Sequence, residues 1–202
     1  SEIIVGNMPN LSLGIGSQVL EYLNEDEKIT GFFGMLNEYS ATGHNAPDYS
    51  LALSLGIGGL IEKFESALNS ASDDDAKAFY QSVVWALDGL SKFIKAYAEL
   101  ARKTRDTLAK TQTEERDNLS GIAERMDHLS TRPARSFLEA TQLIYIINCA
   151  LHQTGEPMSI GRLDQWLGDF YAQDIQAGKL SEEAAQEIID AFWIKMDETV
   201  LF

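Results

Sequence analysis

From Pro47 onward, apolar residues return at three- and four-residue intervals, a period that admits little besides helix. Leu53, Ile57, Leu60, Ile61, Phe64 and Leu68 make a first stripe. Phe79, Val83, Leu87, Leu90, Ile94, Tyr97, Leu100 and Leu108 make a longer second one. The punctuation agrees. Pro47 suits a first helical position, and Asp48 favours the positive end of the helix dipole. Ser72 with Asp75 three residues later predicts a capped start for the second helix. Thr113 predicts a cap for a third, running to about Leu129. Arg132-Pro133 marks a boundary, because the residue before proline is pushed out of the helical region. Residues 137–152 are apolar nearly all round and predict a buried helix, closed by Gly155 and Pro157. Residues 162–176 predict a helix stopped by Gly178. Ser181-Glu182-Glu183 opens a last helix, expected to reach the chain end.

The first part of the chain reads differently. Residues 2–7 form a short β-branched run closed by turn residues, which predicts a strand or an extended arm. Pro9, Gly14 and Gly16 predict a loop, and residues 17–24 a short helix. Residues 29–36 are apolar with two glycines and fit either state. At 202 residues a single domain with a sizeable core is the default. A net charge of -15 argues against nucleic acid or an anionic membrane as partner, since both need a basic face. The longest apolar candidate, residues 143–151, falls far short of the ~20 residues a bilayer needs. Ser1-Glu2 lacks the basic start of a signal peptide. One cysteine, Cys149, excludes an internal disulfide and fits a reducing compartment.

Few residues suggest chemistry by position alone. His44 lies just before a predicted helix start, beside backbone donors suited to an anionic or hydroxylated ligand. A loop histidine bonded to a backbone carbonyl is the plainer reading. Glu156-Pro157 reads as a turn with an exposed glutamate. Arg162 and Asp164 are placed to pair across a turn, a contact worth little if exposed. Cys149 sits in an apolar helical run, so it reads as a small hydrophobe with a raised pKa and not as a nucleophile. Glu124, Asp127 and His128 read as a solvated helix face, and no carboxylate–histidine pattern supports a di-iron bundle. Gly14-Ile15-Gly16 lacks the context of a phosphate loop.

Four ordered blocks carry a more specific signal. They are Gly43-His44-Asn45-Ala46-Pro47-Asp48-Tyr49, Ser136-Phe137-Leu138-Glu139-Ala140-Thr141-Gln142, Ser159-Ile160-Gly161-Arg162-Leu163-Asp164-Gln165, and Tyr171-Ala172-Gln173-Asp174-Ile175-Gln176-Ala177-Gly178-Lys179-Leu180, followed by Phe192-Trp193-Ile194-Lys195. Together they resemble the glycyl radical enzymes, the pyruvate formate-lyase and diol dehydratase superfamily. The resemblance implies a mainly α chain: a long-helix assembly with a few short strands, part of a ten-stranded α/β barrel. It implies one partial domain over residues 1–202, with an irregular or extended arm at 1–42 and helices over 43–202.

The same resemblance implies site roles. His44 would contact substrate hydroxyls, as in the dehydratase branch, where pyruvate formate-lyase proper carries an arginine. Glu156 and Pro157 would line the substrate pocket. Glu156 would bring an acceptor or general base, and Pro157 would remove a donor. Asp48, Ser159, Arg162 and Asp164 would support the pocket wall from behind. The implied cofactor is a glycyl radical, installed by a separate activating enzyme that uses S-adenosylmethionine and an iron–sulfur cluster. The implied setting is anaerobic and cytoplasmic, with a small-molecule substrate and a homodimer as the assembly. Neither the cysteine loop nor the radical glycine motif occurs here, so the chain reads as an N-terminal or middle piece of a longer enzyme, inactive alone. A non-catalytic helical scaffold or partner subunit is the rival reading.

Overall fold

The computed structural model describes residues 2–7, 24–26, 29, 45–152 and 158–197. Its regular elements are helices: α1 (Tyr49–Ser70), α2 (Asp74–Thr107), α3 (Thr113–Leu129), α4 (Phe137–His152), α5 (Leu163–Gln176) and α6 (Glu182–Asp197). The short strands expected from the sequence do not form among the described residues. The β-type pairing there is an isolated parallel bridge between Asn45 and Met158. Nearly all of the expected helix over 17–24, and nearly all of 29–36, lie outside the described residues, as does the final stretch of the chain.

Helix α4 is the hub. It is buried from Phe137 through Cys149 on nearly every side, as its all-round apolar sequence requires. It packs against α1, α2, α3, α5 and α6. Its own start is capped from a distance: Asp174 on α5, itself buried, accepts from the Phe137 N–H at 2.8 Å. That bond satisfies one of the donors a helix start leaves open.

The N-terminal arm docks on the same hub without becoming a strand. Ile4 and Val5 are buried. The Gln142 side-chain amide replaces a neighbouring strand. Its Oε1 accepts from the Val5 N–H at 2.8 Å, and its Nε2 donates to the Val5 carbonyl at 2.6 Å. Arg125 and Asn118 donate to the carbonyls of Ile3 and Glu2. A paired backbone group is the condition for burying it, and a side chain meets that condition here.

Several boundaries shift by a residue or two, each for a local reason. Asp48 is the cap of α1 and accepts from the Ser50 N–H at 3.1 Å, so Pro47 precedes the helix and does not open it. Asp73, not Ser72, caps α2 and accepts from the Ala76 N–H at 3.0 Å. Thr113 is the first residue of α3, after a cap position held by Gln112. Helix α1 also breaks internally at Gly56, whose φ of 68° and ψ of 172° are open to glycine almost alone. The break admits the loop before α4: the Gly58 N–H donates to the Thr131 carbonyl at 2.7 Å.

The far halves of α1 and α2 stand apart from this core. No residue from 61 to 90 is buried, although α1 and α2 pack on each other. Phe79 and Leu100, placed in the inward stripe by their spacing, are 60% and 57% exposed. No described helix is long and apolar enough to cross a membrane.

Candidate functional site

Three of the residues singled out from the sequence, His44, Glu156 and Pro157, lie outside the described residues. The residues that follow them in the chain do not. Asn45 and Met158 pair in the parallel bridge, and the Ser159 N–H donates to the Asn45 carbonyl at 2.8 Å. Two segments more than a hundred positions apart are thus joined directly after His44 and directly after Pro157.

Side chains behind this junction hold it. Gly161 turns the second segment with a φ of 71°, which glycine adopts freely. The turn brings the Ile160 carbonyl to Trp166 on α5, whose indole Nε1–H donates to it at 3.1 Å. Trp166 meets the ring of Tyr49 edge-on, with centroids 6.4 Å apart. Tyr49, at the first position of α1, is buried, and its hydroxyl donates to Asn148 Oδ1 on α4 at 3.3 Å. Burial pushes the Tyr49 phenol well above its usual range, so it stays protonated and able to donate. The junction therefore rests on α1, α4 and α5 at once. Tyr49, Asn148 and Trp166 had no place among the residues singled out by chemistry. Tyr49 closes the first sequence block and Trp166 directly follows the third, and that placement was the available signal.

The remaining predicted residues divide. Asp48 spends its carboxylate on the α1 cap, and the hydrogen bond from the Ser50 hydroxyl holds it below the usual range. Ser159 contributes its backbone N–H to the junction. Arg162 and Asp164 do pair, in a two-pronged contact at 2.9 and 2.6 Å. Both side chains are about two-thirds exposed, at 67% and 65%, so the pair adds little stability. Their mutual hydrogen bond raises the guanidinium pKa and lowers that of the carboxyl.

Cys149 is fully buried in α4, and desolvation pushes its thiol up to about 12. It does not fit a thiyl or nucleophilic role, which needs an accessible sulfur. His128 corrects the expectation of a solvated face. Its ring is nearly buried, with Nε2 at 2.8 Å from the Pro133 carbonyl and 3.9 Å from Glu139. Asp127 on the same helix pairs with Arg102 of α2. Among the described residues, no three His, Cys, Asp or Glu side chains gather as metal ligands.

Two cavities open elsewhere. One of about 400 Å³ lies between the arm, α2 and α3, lined by Val5, Tyr97, Leu100 and Leu119 among others. One of about 540 Å³ lies between α5 and α6, beside Leu167, Tyr171 and Ile189. Neither includes Asn45, Met158 or Ser159.

Comparison with known proteins decides the family. The profile of the pyruvate formate lyase-like family matches residues 16–202. The chain belongs to that family. It is 31% identical over 162 residues to isethionate sulfite-lyase of Bilophila wadsworthia, covering 76% of this chain and 19% of that protein. It is 27% identical over 169 residues to (2S)-3-sulfopropanediol dehydratase of Klebsiella oxytoca, covering 80% and 20%. The structure of a glycyl radical enzyme from Archaeoglobus fulgidus superposes with a TM-score of 0.70 at 26% identity, covering 90% of this chain and 24% of that one. The chain spans about a fifth of the length of the curated relatives it matches. Those relatives are glycyl radical enzymes, dehydratases and lyases among them, as the four sequence blocks implied.

Proposed function

We propose that this chain is the pocket-forming helical section of a glycyl radical enzyme that cleaves a C–O, C–S or C–C bond in a small hydroxylated substrate. In such an enzyme the radical glycine and an accessible cysteine supply hydrogen-atom abstraction, and neither role falls to this chain. Cys149 is buried, so no radical step passes through it.

The chain's own work is binding and orientation. The carrying observation is the junction of Asn45 with Met158 and Ser159. It ties together the segments that bear His44 and Glu156-Pro157. In this reading His44 contacts a substrate hydroxyl, Glu156 accepts a second hydrogen bond or a proton, and Pro157 shapes the wall without a donor. Asp48, Ser159, Arg162 and Asp164 support that wall. His44 in place of arginine favours a dehydratase or lyase over a formate acetyltransferase. The names of the relatives, a sulfite-lyase and a dehydratase, support that preference.

The wider assignments follow the family. In this reading helices α1 to α6 sit outside a ten-stranded barrel. A separate S-adenosylmethionine enzyme installs the radical in an anaerobic cytoplasm, and the working enzyme is a homodimer. The experiment is turnover by the full-length, anaerobically activated protein on a panel of vicinal diols and hydroxysulfonates. His44→Ala should lower turnover by about a hundredfold or more at equal radical content. Unchanged turnover would remove His44 from the pocket and this reading with it.

A further inference from the structure

The segment that follows His44 runs into α1, and the segment that follows Pro157 runs into α5. Each of those helices carries an aromatic ring in its first turn. Tyr49 opens α1 four residues after Asn45, and Trp166 lies on α5 seven residues after Ser159. The backbone contacts of Asn45 with Met158 and Ser159 are one tie between the two segments. A single tie leaves two segments free to turn about it. The rings make a second tie, with centroids 6.4 Å apart and planes at 64°. It is removed from the first, so it sets the angle between the segments. An edge-to-face pair also has a preferred geometry of its own.

Both rings are fixed at their polar ends. The Tyr49 hydroxyl donates to Asn148, which is fully buried on α4 and whose Nδ2 reaches Met196 Sδ of α6 at 3.6 Å. The Trp166 indole donates to the Ile160 carbonyl, three residues past Pro157. The turn between them is closely packed. A β-carbon at Gly161 would lie 3.7 Å from Trp166 Nε1 and 4.0 Å from Ala46 Cβ. Direct contacts thus run from α4 through both rings to the backbone of the segment that bears Glu156-Pro157.

We propose that Tyr49 and Trp166 are positioning residues that fix the angle between the two pocket segments, so that His44 and Glu156 engage one substrate together. This inference rests on the pocket reading above. Both side chains act through backbone: Tyr49 at the start of α1, Trp166 at the Ile160 carbonyl. They therefore govern the orientation of the substrate more than its affinity. Orientation is a sensitive quantity, since a misplacement of about 1 Å can cost about a hundredfold in rate.

The test is steady-state kinetics of the full-length, anaerobically activated protein at equal radical content, on a panel substrate that the wild type turns over. Tyr49→Phe keeps the ring and removes its anchor. It should lower kcat by about tenfold and move KM by less than about twofold. Tyr145→Phe is the control. It removes another hydroxyl bond of α4, the one to the Lys195 carbonyl at 3.1 Å, and should leave both constants unchanged. Tyr49→Leu and Trp166→Leu should each lower kcat further. The double variant should be no slower than the worse single, because the second change removes a contact already lost. Equal kinetics for Tyr49→Phe and Tyr145→Phe, beside a loss in His44→Ala, would overturn the positioning role and leave the pocket reading standing. Losses that multiply in the double variant would also overturn it. Unchanged turnover by His44→Ala would overturn the pocket reading and this inference with it.

Discussion

Gln142 satisfies both backbone groups of Val5 with a single side-chain amide. Replacing it with leucine keeps the volume but strands the buried N–H and C=O of Val5. Each unpaired group costs about 1–3 kcal/mol, so Gln142→Leu should lose about 2–6 kcal/mol in chemical denaturation. A loss near zero would mean the arm is not held this way. Gly56 makes a second single-residue demand. A β-carbon there would lie 2.4 Å from the Arg132 carbonyl carbon, at a φ and ψ that other residues avoid. Gly56→Ala should cost about 3 kcal/mol or more, read as a lower midpoint in the same experiment. Neither demand was legible in the sequence. A glutamine within an apolar helix looks like a flaw in the pattern until its partner, 137 positions away, is known. A glycine within a helical stripe looks like an expense until the loop it admits is seen. The inertness of Cys149 was legible, because apolar neighbours along its helix already implied burial.

Helix α4 was read to the residue, because a mostly apolar stretch bounded by Pro133 and Gly155 leaves little choice of boundary. The capped starts of α1, α2 and α3 were read one or two residues off. Runs such as Ser72-Asp73-Asp74-Asp75 offer several capping side chains, and only packing selects among them. The polar contacts at the start of α4 were not legible, since they come from other elements. Glu139, in its first turn, shows the consequence. Burial pushes its carboxyl pKa up. Hydrogen bonds from the Arg135 side chain and backbone, with the charges of Arg135 and His128, outweigh burial and hold it below the usual glutamate range. A carboxyl lowered on folding contributes stability at pH above its unfolded pKa and loses it as pH falls through the folded one. The wild-type chain should therefore lose stability as pH drops below about 4.3, the ordinary glutamate value. Glu139→Gln should flatten that part of the slope. Parallel slopes for the two proteins, in denaturant midpoints taken from neutral to acid pH, would remove Glu139 from the acid response.

At the scale of the molecule, the helical class and the family were both legible, the first from period and the second from the four ordered blocks. The supports of the site were not. Tyr49, Asn148 and Trp166 come together only when α1, α4 and α5 pack, and each alone is an ordinary core residue. The Asn45–Met158 junction likewise joins segments that nothing in the sequence pairs. The central claim is that these helices serve as the pocket wall of a larger radical enzyme. Its most direct test is the intact mass and full sequence of the native polypeptide from anaerobically grown source cells. The account predicts a chain several times longer, carrying an accessible cysteine loop and a radical glycine motif beyond Phe202. A native polypeptide that ends at Phe202 would contradict it and leave a helical partner subunit as the better reading.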